Sequence, residues 1–310
     1  MAPGVWVPWR ADHAAPRPRA RWSHAMVWDV RRRVVVVIGG RDKEEVFDDQ
    51  WAWDGAAWRE ETPRRRPPPR YAAAAGYDEA RGRLVLHGGG ASKDDRAGHA
   101  DTWEFDGERW EPRPDAGGPG LRGWHRMAWD PARRRLVLLG GADPRWRAHA
   151  DLWTWDGARW AALPAGPAPA PPGRHLFGMC WDARRDVLVV YGAQSGPGMD
   201  EHWEWHPERG WTRRDDVEGG PGKRHDPGLV AYPGGVLFFG GWDDRRARND
   251  TWSFDGARWT RLLEGVTGDA FLPPGRNWQA LVWDAGRGCA VLHGGAASGR
   301  GHGDLWELRP

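Results

Sequence analysis

The sequence predicts an all-β protein, a six-bladed β-propeller whose ring is closed by an N-terminal strand. Two observations lead to this prediction. A tryptophan-rich motif recurs about every fifty residues, and a second block, which usually ends in Gly-Gly, stands upstream of each copy. If six such units were stacked around a ring, their sheets would bury their faces against one another and expose only short strand edges.

The first repeated element is the tryptophan-rich motif, which has five full copies and one shortened copy. In each full copy an aromatic run is followed by a tight turn, usually Asp-Gly, and then by another Trp. This pattern predicts two antiparallel strands joined by a short turn, which are the third and fourth strands of each blade. The copies are DDQWAWDGAAW (48–58), ADTWEFDGERW (100–110), ADLWTWDGARW (150–160), DEHWEWHPERGW (200–211), NDTWSFDGARW (249–259) and GDLWELRP (303–310).

The second repeated element begins with an arginine and predicts the first two strands of each blade. In five of the six copies an aromatic residue follows this arginine by seven positions, and the first glycine position follows it by eighteen. The fifth copy is two residues shorter, so either Arg224 or His225 corresponds to the other blade arginines. In the second and fifth copies the expected first-strand aromatic residues are Tyr77 and Tyr232. The other blade arginines are Arg21, Arg70, Arg122, Arg174 and Arg276.

The two elements together define the blades and leave one strand missing. They place the blades of a single domain, residues 1–310, at 19–62, 68–113, 120–163, 172–214, 222–263 and 274–310. The sixth blade has only three predicted strands. We expect the segment GVWVPWR (4–10) to supply its outer strand and close the ring, because its apolar alternation matches that of the other fourth strands. Either Trp6 or Trp9 then takes the position of the fourth-strand tryptophan.

The repeats resemble those of a known family. An Arg before the first strand, Gly-Gly after the second, then D-x-W and a later Trp are similar to the repeats of Kelch propellers, and the resemblance covers essentially all 310 residues. Kelch propellers serve as protein-binding modules, carbohydrate binders and enzyme scaffolds, so the resemblance specifies the fold and not one function. It implies that the blade arginine is mainly a scaffold residue. It also implies that the loops after this arginine and after Gly-Gly line a ligand-binding face.

The composition excludes several classes of partner. The 45 basic and 43 acidic residues are interspersed and give a net charge of +2, so we expect no binding to nucleic acid or membranes. No signal-peptide core or long apolar run is present, which favours a cytoplasmic protein, and we expect a monomer. Cys180 and Cys289 lie in apolar strand-like runs without metal-ligand spacing, so we expect buried free thiols.

Residues that depart from the blade consensus are the candidates for function, because the recurring residues are explained by the scaffold. The first and second strands of a blade are antiparallel, so the two loops that flank them lie at the same end of the propeller. We therefore predict an aromatic and histidine-lined mouth of the central channel that binds a small molecule, glycan or peptide. The alternative is that the tryptophan rings simply plug the channel. The predicted mouth residues are Trp22, Arg41, Tyr71, Trp124, Trp146, His175, His225, Trp242, Asn277 and Trp278.

A second hypothesis is a non-redox enzyme of the isomerase, cyclase or lyase type that uses the same mouth. His175, His225 and Asp226 are then the candidates for proton transfer, because imidazole and carboxylate groups commonly act as general acids and bases. We predict no cofactor. A divalent metal held at the channel mouth by the two imidazoles and the carboxylate is a less favoured interpretation.

Overall fold

Six four-stranded antiparallel sheets, arranged as the blades of a propeller, form the described part of the protein. The computed structural model describes residues 4–10, 15–92, 98–164, 169–194, 198–265, 268 and 271–309. The first strand of each blade contacts the first strands of both neighbouring blades, so six inner strands surround a central channel. The described residues contain no helix, and hence none that could cross a membrane. The predicted all-β, six-bladed fold is confirmed, although the predicted blade ranges also include 93–97, 195–197 and Pro310, which lie outside the described residues.

Each of blades one to five is built from four consecutive strands, and strand β1 (Val5–Pro8), which precedes them, belongs to the sixth blade. The first blade contains β2 (Ala25–Asp29), β3 (Val34–Ile38), β4 (Gln50–Trp53) and β5 (Trp58–Glu61). The second contains β6 (Ala74–Asp78), β7 (Arg83–His87), β8 (Thr102–Phe105) and β9 (Trp110–Pro112). The third contains β10 (Arg126–Asp130), β11 (Arg135–Leu139), β12 (Leu152–Trp155) and β13 (Trp160–Ala162).

The last three blades follow the same order. The fourth contains β14 (Gly178–Asp182), β15 (Val187–Tyr191), β16 (His202–His206) and β17 (Gly210–Arg213). The fifth contains β18 (Gly228–Tyr232), β19 (Gly235–Trp242), β20 (Ala247–Phe254) and β21 (Trp259–Leu263). The sixth contains β22 (Ala280–Asp284), β23 (Cys289–His293), β26 (Leu305–Arg309) and β1, and beside it lies a two-stranded sheet of β24 (Ala296–Ala297) and β25 (Arg300–Gly301).

The N-terminal strand closes the ring. Strand β1 pairs antiparallel with β26, and Trp6 lies opposite Leu308 in the same register in which Trp58 lies opposite Trp53 in the first blade. Trp6 is 3% exposed, and its indole Nε1 donates a hydrogen bond of 2.9 Å to the hydroxyl of Thr251 in the fifth blade. The fourth-strand position is therefore held by Trp6 and not by Trp9.

The blade arginines hold each blade together from inside. Arg276 is fully buried, and its Nη1 donates to the carbonyl of Gly294 at 2.9 Å and to Asp304 Oδ1 at 2.6 Å. The indole Nε1 of Trp306 donates to the other oxygen of Asp304 at 2.7 Å. In all six blades the blade arginine donates one hydrogen bond to a glycine carbonyl and another to an acidic side chain. The blade arginine is thus a scaffold residue, as expected, and so is the acid of D-x-W, because each satisfies the other's buried charge.

The fifth blade corrects one sequence assignment. Arg224 donates to the carbonyl of Gly240 at 3.2 Å and to Asp250 at 2.5 Å, so Arg224 and not His225 is the blade arginine. Tyr232 consequently pairs with Gly235, at the position where the other five blades carry aspartate, and the expectation that it fills the first-strand aromatic position was wrong. The physical reason is the hairpin turn between β18 and β19, which has two residues where the other blades have four. The two missing residues are therefore absent from this turn, and the start of the strand, next to the blade arginine, has its usual length.

The two cysteines are buried free thiols, as predicted. Cys180 lies in β14 and Cys289 in β23, and they are 7% and 3% exposed. Burial raises the pKa of both thiols, that of Cys289 to about 11. Both groups are therefore neutral and unreactive at physiological pH.

Candidate functional site

The two predicted loops meet at one end of the propeller. In five blades the residue after the blade arginine forms an antiparallel backbone bridge with the residue after Gly-Gly. This geometry follows from the hairpin that joins the first two strands, because an antiparallel pair returns to the end from which it started. The bridges are Trp22 with Arg41, Tyr71 with Gly90, Gly123 with Ala142, His225 with Trp242, and Asn277 with Ala296.

Aromatic rings continue from blade to blade across this end. The guanidinium of Arg41 lies 5.7 Å from the ring centre of Trp22 and 5.1 Å from that of Tyr71, so one cation bridges two aromatic faces. The ring of Tyr71 meets that of Trp124 edge to face at 5.7 Å. Three consecutive blades therefore contribute to one surface.

The surface continues into the third and fourth blades through Trp146. Its ring stacks on Trp124 at 4.7 Å and lies 5.7 Å from the imidazole of His175. Trp146 is 52% exposed, which is unusual for so large an apolar ring. A tight turn holds it in place, because the side chain of Asp143 accepts hydrogen bonds from the backbone amides of Arg145 and Arg147. We call the six residues Trp22, Arg41, Tyr71, Trp124, Trp146 and His175 the aromatic arc.

The other predicted mouth residues lie on the fifth and sixth blades. The rings of His225 and Trp242 are 6.3 Å apart. His225 also lies near His175 of the fourth blade. Burial lowers the pKa of His175, and the charge of His225 lowers it further, whereas the side chain of Gln194 raises it. Asn277 is 4% exposed and Trp278 is partly exposed. Asn277 is thus the predicted mouth residue with the smallest accessible surface.

The rim of the channel is a ring of backbone in an unusual conformation. The second residue after each blade arginine has a positive φ of 50 to 58°, although none of the six is glycine. Four backbone hydrogen bonds of 2.6 to 2.9 Å connect these residues from blade to blade. Each left-handed residue costs about 1 kcal/mol, so the bonds stabilise a conformation that the chain alone disfavours. The six residues are Ser23, Ala72, Trp124, Leu176, Asp226 and Trp278.

An ion pair joins the third and fifth blades at this rim. Arg126 donates from Nε to the carbonyl of Phe177 in the fourth blade at 2.9 Å, and from Nη2 to the carboxylate of Asp226 in the fifth blade. Asp226 is 2% exposed, and burial raises the pKa of its carboxyl, although Arg126 and then His225 oppose that shift. The backbone amide of Trp278 also donates to this carboxyl. Asp226, predicted as a proton-transfer group, is therefore already bound by two donors.

Arg126 is a site residue that the sequence analysis missed, and a signal for it was available. The fourth residue after the blade arginine is Ala or Gly in the five other blades and Arg only in the third. A small residue is expected there, because the position lies at the start of an inner strand, next to the channel. The internal comparison that selected the tryptophans would have selected Arg126 by the same criterion.

The channel itself is narrow. Its cavity has a volume of about 140 Å³ and is lined by the inner strands together with Trp124, Arg126, Asp226 and Trp278. Pockets for drug-sized ligands are typically about 300–1,000 Å³. The channel therefore has room for a small group only, and a larger ligand would lie on the aromatic arc above it.

Replacing Arg126 with alanine is expected to lower the free energy of unfolding by about 2 kcal/mol at pH 7, because the variant leaves the Asp226 carboxylate buried without its cation. The loss should shrink at pH 5, since the raised pKa of Asp226 lets the carboxyl take up a proton and become neutral. Chemical denaturation at both pH values measures this. Arg59→Ala is the matched control, because Arg59 is 71% exposed in its ion pair with Glu61 and should contribute little. Equal losses for both variants would contradict the role of the channel ion pair.

The proposed metal ligands do not form a cluster. In the ranges that the structure describes, no three or more His, Cys, Asp or Glu side chains lie close enough together to hold a metal ion. The carboxylate of Asp226 is engaged by Arg126. The three residues considered for proton transfer or metal binding thus remain neighbours at the mouth and not a converging set.

The six-bladed arrangement is compatible with ligand or protein binding, and its repeats carry the resemblance described above. Scans of protein-family models and of curated proteins return no match to this chain. The interpretation of the site therefore depends on the geometry of its own residues.

Proposed function

We propose that this protein is a Kelch-type binding propeller that takes a small molecule, glycan or peptide on its aromatic arc. The observation that carries the proposal is the continuity of the arc, in which rings and one guanidinium contact one another from the first blade to the fourth. Aromatic residues and arginine are the residue types that contribute most to binding energy at interfaces.

The Kelch assignment is supported by the physical role of the repeated residues. The arginine, the Gly-Gly carbonyl and the acid of D-x-W form one buried unit in every blade, so the sequence pattern corresponds to a bonded structure and not to composition alone. Repeats of this kind leave the loops at the mouth free to vary, and variable loops on a rigid scaffold are where binding residues are usually found.

The aromatic rings and polar groups of the arc suggest the class of ligand. Trp146 and Trp124 form a stacked pair of indoles with one ring half exposed, which suits the flat face of a sugar or of another aromatic group. Arg41 and the partly exposed imidazole of His225 add hydrogen-bonding groups at the same end of the propeller, whereas both ring nitrogens of His175 are buried. Because the channel holds only about 140 Å³, the ligand would bind across the mouth and place at most a small substituent inside.

Replacing Trp146 with alanine is expected to weaken ligand binding at least about tenfold, because truncation of one well-packed aromatic contact typically costs 1 to 2 kcal/mol or more. The free energy of unfolding should change little, since the ring is half exposed. Titration of intrinsic tryptophan fluorescence against panels of glycans, aromatic small molecules and peptides measures the affinity. Phe271→Ala is the control, because Phe271 is 80% exposed in the connection between the fifth and sixth blades, outside the arc. Unchanged affinity in the Trp146 variant would contradict the proposal.

An enzyme that uses the same mouth is the second candidate. It is favoured by one observation, the buried Asp226 carboxyl with its raised pKa at the head of the channel, because such groups often act in catalysis. Its bonds to Arg126 and to the backbone of Trp278 favour a structural role instead. Turnover of a bound ligand that disappears in Asp226→Asn would favour the enzyme over the binding module.

A further inference from the structure

Arg126 keeps unused hydrogen-bond donors at the head of the channel. A guanidinium group carries five N–H bonds. Within the described residues, Arg126 donates to the carbonyl of Phe177 at 2.9 Å, to the carbonyl of His125 at 3.5 Å and to the carboxylate of Asp226. Its side chain is 29% exposed and lines the channel cavity. The remaining N–H groups are therefore available to a hydrogen-bond acceptor that enters this cavity.

The carboxylate beside Arg126 limits the charge of that acceptor. Asp226 is 2% exposed, and both Arg126 and the backbone amide of Trp278 already donate to its carboxylate. An anionic ligand group on Arg126 would lie next to this carboxylate, and two negative charges at such a short distance repel each other. The guanidinium therefore favours a neutral acceptor, such as a carbonyl oxygen.

Small apolar side chains form much of the remaining wall of the cavity. The second blade contributes the consecutive alanines 72–75, and the first and sixth blades contribute Ala25 and Ala280. A methyl group fits walls of this kind, because the removal of apolar surface from water is favourable. A neutral carbonyl oxygen and a methyl group are combined in an acetyl group. The cavity, at about 140 Å³, has room for such a small group.

Trp124 connects this cavity to the aromatic arc. Its indole stacks on that of Trp146 at 4.7 Å, and Trp124 is also one of the residues that line the cavity. Arg126 follows it by only two residues. A ligand ring that lies on the stacked indoles is therefore next to the cavity, and a short substituent on that ring can reach Arg126.

We infer that the aromatic arc selects an N-acetylated sugar, an N-acetylhexosamine, whose ring lies on Trp146 and Trp124 and whose acetamido group enters the channel. There the carbonyl oxygen accepts a hydrogen bond from Arg126, and the methyl group lies against the alanines of the second blade. The inference rests on the function proposed above and names the class of ligand. It also gives Arg126 a role besides its ion pair, at a position where the five other blades carry Ala or Gly.

Titration of the full chain with matched sugars, followed by intrinsic tryptophan fluorescence, tests this inference. N-acetylglucosamine and N-acetylgalactosamine should bind at least about tenfold more tightly than glucose and galactose, because only they carry the group that bonds to Arg126. Glucuronic acid, which carries a carboxylate, should bind no more tightly than glucose. In saturation-transfer nuclear magnetic resonance, the acetyl methyl protons should receive more saturation than the protons of the sugar ring.

Two variants separate the channel from the arc. Arg126→Ala gives the third blade the residue that the first blade carries, Ala25, and should abolish the preference for N-acetylated sugars. If this variant does not fold, its combination with Asp226→Ser serves instead, because the pair then matches Ser23 and Ala25 and leaves no buried charge. Trp146→Ala should weaken the binding of both kinds of sugar and leave the ratio of their affinities unchanged.

Three results would overturn the inference while leaving the proposed binding function intact. The first is equal affinity for N-acetylated and plain sugars, and the second is a preference that persists without Arg126. The third is binding of aromatic compounds or peptides but of no sugar. In particular, tighter binding of N-acetyl-lysine methylamide than of either N-acetylated sugar would assign the acetamido site to an acetylated peptide. The absence of any bound compound would contradict the proposed function as well.

Discussion

Trp6→Ala should lower the free energy of unfolding by about 3–5 kcal/mol, which is the usual cost of truncating a fully buried tryptophan. The indole packs against Phe239 at 5.2 Å, edge to face, within the core between the fifth and sixth blades. Its hydrogen bond to the buried Thr251 is lost as well. Since β1 is the outer strand that completes the ring, weakening its attachment exposes the edge of β26. Denaturation by urea, followed by circular dichroism, measures the loss.

Trp9→Ala is the matched control for this experiment. Trp9 lies only three residues further along the chain, is partly exposed, and contacts Trp53 at 5.0 Å. Its indole donates to the carbonyl of Ala56 at 3.2 Å in an exposed position. We expect this variant to lose much less stability than Trp6→Ala. Similar losses of stability in the two variants would mean that the attachment of β1 to β26 does not depend on the observed register, which buries Trp6.

Acid should destabilise the fold strongly between pH 6.5 and pH 5. Four buried histidines at two blade boundaries have lowered pKa values, about 4 for His87 and about 3 for His293, and the main cause is burial. His24 and His125 are shifted in the same direction. The unfolded chain therefore binds protons at pH values where the folded protein does not, so stability is complete above pH 6.5 and declines as the pH falls.

The size of the effect follows from these shifts. At pH 5 His87 and His293 each cost about 2 kcal/mol of stability, and His24 and His125 add to this loss, so the four together would remove much of the stability of a typical domain. Asp101 and Asp304, which pair with blade arginines, have lowered pKa values and lose their contribution only at more acidic pH. The buried histidines thus determine how the free energy of unfolding changes with pH between pH 6.5 and pH 5.

His125→Phe isolates one of the four histidines. His125 is 0% exposed, its two ring nitrogens make no hydrogen bond in the described part of the chain, and the fourth blade carries Phe177 at the equivalent position. We expect the variant to be as stable as the wild type at pH 7 and to lose clearly less stability than the wild type on transfer to pH 5. An unchanged pH dependence would show that this imidazole does not resist protonation in the folded state.

The fold was predictable because six copies of one unit are present in a single chain. Each copy supplies the same strand pattern, so errors in one copy are corrected by the others. The exceptions are positions where copies differ. The shortened turn of the fifth blade left Arg224 and His225 as alternatives, and only the hydrogen bonds of the folded blade distinguish them. The choice between Trp6 and Trp9 likewise depends on the register between two strands at opposite ends of the sequence, in which Trp6 lies opposite Leu308.

The candidate site was predictable in position but not in detail. Antiparallel pairing places the two mouth loops together, whatever their sequence. The stacking of Trp124 on Trp146 depends on the tight turn at Asp143, and a loop conformation of that kind is not encoded in a repeat.

The position of β1 also determines how the protein can be attached to a surface or to a fusion partner. Val5 pairs with Arg309, so both ends of the described chain emerge together, and the strand directions place them at the face opposite the aromatic arc. A fusion partner or surface tether joined at either end would leave the arc facing solution. Immobilised sensors and display formats can therefore be joined next to Val5 or Arg309 without obstructing the proposed ligand.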